Sequence, residues 1–509
     1  MTYMYFFKKD KYVFLLALFL FLSISIVLHY DQAPEDFGFA YEYGNIAASL
    51  ANGNGYANVF TAQSGPTAWM LPVNTCIFAL IFFLFGTKTT MAMWAVIVLN
   101  CMLWAGTIYL CFKVLNRFSG IQKYAYLFVF LSLILILLDY RSFLDNIMDV
   151  ALINFMTIAT LNELLKFRAG DKNLVSLILI AIALPLISPG LFLAFAILLA
   201  AFFIIDLSKV LHTHKLRLST INFSVVRQAV IVIVLLVVSF FSTLTWGSRN
   251  YASLGKFIPS KSNFWYEFYQ ANMLDDDGVL DLRTFVVYHP FYGGKHLQTY
   301  KDLGEVKFGE FFALKVKENF KAREYLSRLA NRLKVAFFYS LRTSFSHKAD
   351  TEAFHAEDLI KLISVGYIHE GNWIALDLER SAFINNIQEL NLTNQSAVIS
   401  DWNSKKIIYR RVKGDYKSLM KAILFSLIPF VCILLGAFIK KIRSSKVFQW
   451  GVLIYFLQLS PYILISHYQR YQSYVFILQI IFMVFVLSYL LSLVEDRSFK
   501  LMRRANYKH

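Results

Sequence analysis

Ten stretches of this chain are apolar for long enough to cross, or nearly cross, the hydrocarbon core of a bilayer. A chain carrying that many has lipid as its principal solvent. They run near 12–28, 90–112, 124–138, 147–165, 174–187, 191–205, 228–246, 419–439, 448–466 and 474–494. Several fall short of the roughly 20 residues that an upright helix needs, so tilted or broken helices are expected. Composition agrees: 57% of the 509 residues are hydrophobic, 17% are aromatic, and the mean hydropathy is +0.52. The first run follows Lys8, Lys9 and Lys11 directly and lacks a small-residue cleavage site, so it reads as an uncleaved span.

Charge orients this map, because short cytoplasmic loops collect Lys and Arg. The segments read as inner carry 22 basic residues, against three (Lys88, Arg141 and Arg470) in the short outer ones. Both termini are therefore expected in the cytoplasm. The apolar stretch 71–86 would invert every later cluster if it crossed, so it is expected to be an outer helix lying in the membrane interface. The formal charge of +17 is explained mostly by these inner clusters, and the large segment 247–417 holds 24 basic and 20 acidic residues. No nucleic-acid partner is implied. Three modules follow: 1–246, with an acidic first outer loop at 30–87; an outer segment, 247–417; and C-terminal spans with a basic tail, 418–509.

The first outer loop holds Asp31, Glu35, Asp36 and Glu42, with no Lys or Arg before Lys88. Carboxylates gathered without a basic partner repel one another and raise at least one pKa, which suits a general base or a cation site. Glu42 opens a helix-like stretch to Ala51, stopped by Gly53 and Gly55. Held there, it is placed to take a proton from an acceptor, or it is a solvated loop charge. In the large segment, the stretch after Gly247 reads as irregular chain, and 309–339 reads as one helix with an apolar stripe. A small α+β unit is expected beyond His347. The run Asp275, Asp276, Asp277 before Gly278 is a turn or a metal motif. His289, His296, His347, His355 and His369 lack ligand spacing, and no structural metal is expected. All four cysteines read as buried apolar residues. In the last outer hairpin, Arg470 lies among Tyr468, Tyr471 and Tyr474. It is there to meet an anion such as a lipid phosphate, or to anchor the chain in an aromatic belt.

Glu42-Tyr43-Gly44-Asn45-Ile46-Ala47, Ser49 to Tyr56, Ser64-Gly65-Pro66-Thr67-Ala68-Trp69 with Pro72, and Leu84-Phe85-Gly86 resemble the first outer loop of bacterial GT-C glycosyltransferases. These are relatives of the protein O-mannosyltransferases and the aminoarabinose lipid A transferases. Arg249-Asn250-Tyr251, Phe257-Ile258-Pro259, Ser262-Asn263-Phe264 and the 462–471 hairpin look like an uncharacterised branch of that superfamily. The resemblance implies a mainly α, polytopic GT-C-like fold of about ten spans, with outer-face interfacial helices and a mixed or α-rich outer segment. It also implies a polyprenyl-phosphate-linked sugar as donor and a lipid, glycan or protein acceptor on the outer face of a bacterial cytoplasmic membrane. The family's usual Asp-Glu pair is missing, since Phe39 and Ala40 precede Tyr41, which leaves Glu42, with Asp36 second, as the implied base. Arg470 or Arg249 would hold the donor phosphate. Tyr43, Gly65, Pro66, Thr67, Trp69, Asn250, Asn263, Tyr468 and Tyr471 would shape the pocket. No particular cofactor is implied, and a divalent cation stays open.

Two other classes compete. A transporter or flippase would explain Asp145 and Asp149 at a span and the Pro185 and Pro189 break, although no internal repeat is visible. A non-catalytic assembly protein would use the outer segment to contact a partner.

Overall fold

The computed structural model describes residues 2–34, 37, 39, 41–117, 124–138, 144, 149–213, 223–274, 278–280, 289–292, 294–337, 344–347, 367–369, 372–374, 407–410 and 423–506. The N-terminal module comprises α1 (Thr2–His29), α2 (Tyr41–Ala51), α3 (Pro72–Phe85), α4 (Thr90–Leu115), α5 (Ala125–Leu138), α6 (Val150–Arg168), α7 (Val175–Ala183), α8 (Pro189–Thr213) and α9 (Phe223–Leu254). The segment that charge predicts to be outer, called the outer segment after that expectation, contributes α10 (Phe264–Tyr269), α11 (Gly294–Asn319) and α12 (Ala322–Phe337). The chain closes with α13 (Ile428–Phe438), α14 (Lys440–Arg443), α15 (Lys446–Ile465) and α16 (Phe476–Asn506). Among the described residues, seven helices are long and apolar enough to cross a membrane: α1, α4, α6, α8, α9, α15 and α16. The protein is therefore a mainly helical, polytopic membrane protein. The remaining three expected spans are shorter apolar helices: α5, α7 with its 3-10 turn Leu184–Leu186, and the π turn Ile423–Leu427 leading into α13.

Helix pairing brings basic residues that flank several spans to one end of the bundle. α1 and α4 run antiparallel, with Ser25 against Cys101 and the His29 ring against Trp94, so Lys11 comes beside Tyr109 near the C-terminus of α4. At the same end, Arg168 of α6 forks onto Asp206 of α8 at 2.6 and 3.2 Å and lies over Phe202, which in turn meets Trp450 near the start of α15. The opposite, or far, end carries α2, α3 and the outer segment.

Inside the bundle a few polar side chains tie spans together, as buried polar groups must. Asn154 donates to the Ser473 carbonyl and accepts from the Ile477 amide, and Gln458 donates to the Tyr474 carbonyl while accepting from Thr157. Gly190, in the first turn of α8, lets two backbones touch: a Cβ there would sit 2.4 Å from the Gln458 carbonyl oxygen. The break at Pro185–Pro189 is a tight turn at Ile187 and Ser188 between α7 and α8.

Helix α3 buries Asn74, Thr75, Phe78, Ala79 and Phe82 and exposes Leu80, Phe83 and Leu84. Its 14 residues cover about 21 Å, short of an upright crossing. Cys76 falls on the exposed face, so only three of the four cysteines are buried, contrary to the sequence reading. Two other expectations change. The stretch after Gly247, expected to be irregular chain, continues α9 as far as Leu254, because no break in the helix comes before Gly255 (φ 70°). The expected helix over 309–339 is two helices, α11 and α12, parted at Phe320 and Lys321, and α11 is itself kinked at Gly304 (φ 71°).

The last carbonyls of α15 have no partner within their own helix, and the outer segment supplies one. Tyr325 donates to Leu464 O at 3.1 Å, while Asn272 and Arg332 donate to Ile465 O at 3.0 and 3.2 Å. Just beyond, β6 (His467–Tyr468) pairs in parallel with β1 (Val279–Leu280). Four further strands, β2 (Ser344–His347), β3 (Tyr367–His369), β4 (Asn372–Ile374) and β5 (Ile407–Arg410), form an antiparallel sheet in the order β2-β5-β3-β4.

Candidate functional site

The site is built around α2. Gly53 (φ 78°) and Gly55 (φ 74°) end this helix, and Asn45 pins it to the returning chain by donating to Val59 O and Phe60 O. Successive helical residues point about 100° apart, so Glu42 and Tyr43 leave α2 in different directions. Glu42 meets the outer segment: its Oε1 lies 3.2 Å from Nε2 of His289, with the two side chains 15% and 8% exposed. The Phe291 amide donates to Nδ1 of His289 at 3.3 Å, which places the proton of a neutral ring on Nε2, where it donates to Glu42. Tyr43 meets the bundle: its hydroxyl donates to Oδ2 of Asp149 at 2.7 Å, at the start of α6. Burial first, then the charge of Asp149, push the Tyr43 phenol well above its ordinary pKa, so it remains a donor. Asp149 is itself buried; among the described residues its Oδ1 meets no hydrogen-bond partner, and its side chain does not cap α6.

Around the Glu42–His289 pair the walls are aromatic. His289 stands edge-on to Phe60, Trp69 and Tyr266, with ring centroids 5.7 to 6.2 Å away. Tyr266 in turn hydrogen-bonds His296 at 3.0 Å. Such walls keep water scarce and strengthen the polar contacts they enclose.

The rest of the first loop is a hairpin. Asn58 donates to Gly65 O, Thr67 donates to Tyr56 O, and Ala57 bridges to Pro66. Arg249, implied as a phosphate ligand, is occupied here: Nη1 donates to Thr67 O at 2.7 Å and Nη2 to Tyr56 O at 2.8 Å, while the guanidinium lies over the Tyr56 and Trp246 rings. It clamps both arms of the hairpin, because a planar fork with several donors suits two diverging carbonyls. Asn250 accepts from Arg249 and donates to Ile258 O, and Asn263 donates to Glu267, so both asparagines order the chain after α9.

Thr67, Trp69 and their neighbours seat the outer segment on the loop. Glu305, the first residue beyond the Gly304 kink, accepts from the Thr67 hydroxyl (2.5 Å), the Ala68 amide (2.6 Å) and the Tyr300 hydroxyl (2.8 Å). Burial raises its carboxyl above the ordinary range, and these donors partly offset the rise.

Tyr471 stacks on Tyr474 and lies against Tyr462, with Tyr468 at their edge. Tyr474 is also close enough to act electrostatically on Tyr43, so this hairpin and α2 converge. Nearby His467 is fully buried, and burial with the charge of Arg332 lowers its imidazole to about 3, leaving it neutral. Asp36, Asp275 to Asp277 and the side chain of Arg470 lie outside the described residues. Among the described residues, no three His, Cys, Asp or Glu side chains gather as a metal site would.

Sequence reasoning thus led to α2 and not to its partners. His289 lies 247 positions from Glu42, with no spacing that could announce the pair. Asp149 stood out as an acidic residue bordering a span, which was the one available signal. Compared with family models, curated proteins and solved structures, the chain matches none.

Proposed function

We propose that the protein is a GT-C-type glycosyltransferase that moves a sugar from a polyprenyl-phosphate donor to an acceptor at the far face of the membrane, with Glu42 as the base. The observation that carries this reading is the Glu42–His289 pair: a largely buried carboxylate, oriented by an imidazole of defined tautomer, beside an aromatic wall. In the reaction, an acceptor oxygen bonds to the anomeric carbon as its proton passes to Glu42. The carbon–oxygen bond to the donor breaks, and the electron pair leaves with polyprenyl phosphate. With Arg249 held by the loop, Arg470 is the remaining candidate for the donor phosphate, stabilising charge that grows on the leaving group. Among the short segments that join spans or flank them, the excess of Lys and Arg at the opposite end supports a cytoplasmic location for that end and for both termini, with about ten spans and the site facing outward.

Reconstituted protein given a panel of polyprenyl-phosphate hexoses tests this directly. Glu42→Gln is expected to lower transfer at least about 100-fold, in the range for losing a general base, with thermal unfolding unchanged. Wild-type transfer by that variant rejects the assigned base. His289→Gln is expected to give a smaller loss.

One observation favours a transporter instead: Asp149 is a buried carboxylate at the start of α6, and one of its oxygens meets no hydrogen-bond partner among the described residues. Counterflow of a substrate without any glycosylated product decides for that reading.

A further inference from the structure

Away from the far face, the bundle has an open-sided groove of about 500 Å³ between α1, α4 and α6. Its walls are Phe14 and Leu15 of α1, Gly106 and Leu110 of α4, and Phe155 of α6, while Lys11 and Tyr109 flank the basic end. The groove exists because Gly106 has no side chain: a Cβ there would already lie 3.0 Å from the Phe155 ring, and anything larger would project into the trough. Leu15, in its lining, is 55% exposed, as a lipid-facing residue is.

The polarity is graded along the helix axes. Gly106 and Phe155 lie toward the middle of the bundle, where the walls offer almost no hydrogen-bonding group. At the other end are the exposed Lys11 and, one turn beyond Tyr109, Lys113, whose ammonium sits 5.5 Å from the Tyr109 ring centroid. An apolar, open-sided trough with the Lys11 ammonium in its lining and the Lys113 ammonium next to it, on the Tyr109 hydroxyl at 3.5 Å, does not suit a sugar or a peptide, whose polar groups would go unpaired. It suits a hydrocarbon chain ending in an anion at headgroup depth.

We propose that this groove binds one anionic glycerophospholipid, with an acyl chain along Phe14, Leu110 and Phe155 and the phosphate between Lys11 and Lys113. The site is separate from the Glu42 region and does not depend on the catalytic reading.

Native mass spectrometry of the full-length protein, released from detergent containing phosphatidylglycerol or phosphatidylcholine, tests it. Phosphatidylglycerol is expected to be retained in preference. Lys11→Gln and Lys113→Gln should each weaken that retention about fivefold, the contribution typical of one lysine at an anionic surface. Gly106→Leu, which fills the trough, should abolish it. If that variant fails to fold, Leu15→Trp, which covers the trough from its exposed rim, gives the same readout. Equal retention of the two lipids, or retention unaffected by the lysine and trough variants, overturns the proposal.

Discussion

At Gly44 the chain has no space for a side chain, since a Cβ would stand 1.8 Å from the Phe39 carbonyl oxygen. The Phe39 carbonyl lies against the helix at this point, next to Glu42 and Tyr43. Gly44→Ala is therefore expected to cost about 1–3 kcal/mol, as overpacking does, seen as a lower unfolding temperature in detergent. Arg249→Lys tests the clamp. A lysine cannot reach two diverging carbonyls, so the variant should lose about 1–3 kcal/mol while its affinity for polyprenyl phosphate stays at the wild-type value. A large loss of that affinity at unchanged stability would return Arg249 to the phosphate site. Glu42 was readable as the one acidic residue opening a helix in a loop without basic partners. The work of Arg249 was not, because a bond to a backbone carbonyl places no requirement on the sequence at the accepting residue.

Among the elements, α11 shows where periodicity misleads. Phe312 and Val316 belong to one buried face and Leu329 and Ala336 to another, and the two stripes are close enough in phase to read as one helix across the break at Phe320 and Lys321. The kink at Gly304 is what turns Glu305 onto the first loop, making this carboxylate the main polar tie between loop and outer segment. Its folded pKa is raised above the ordinary value of 4.5, so the folded protein holds this proton more tightly than the unfolded chain does. The stability that follows is complete below pH 4.5 and is lost as pH rises through the folded value. Glu305→Gln imitates the neutral form and is expected to flatten this part of the pH–stability curve. Glu305→Ala should cost about 1–3 kcal/mol or more at every pH by stranding its donors. Denaturation midpoints followed from pH 4 to 8 separate the two outcomes.

For the molecule as a whole, hydrophobic runs and basic clusters were enough to read a helical membrane protein, because each span has to satisfy its backbone internally. Length was less legible: α5, α7 and α13 fall short as single helices, since turns of other helix types extend α7 and α13 in ways that hydropathy does not register. The contacts between modules were not legible at all, as with Tyr325, Asn272 and Arg332 on the end of α15. The proposed sidedness predicts a labelling pattern. In a Cys76→Ser background, Lys301→Cys on α11 should react with an impermeant maleimide on intact cells, whereas Lys172→Cys, between α6 and α7, should react only after lysis.

The parallel bridge between Val279–Leu280 and His467–Tyr468 also sets a schedule. Its two partners are separated by nearly two hundred positions, and the later one emerges only when α15 has been translated. During synthesis this edge stays unmade until α15 has been translated, so α10 to α12 can meet the first loop early but cannot be fully seated before the C-terminal spans are made.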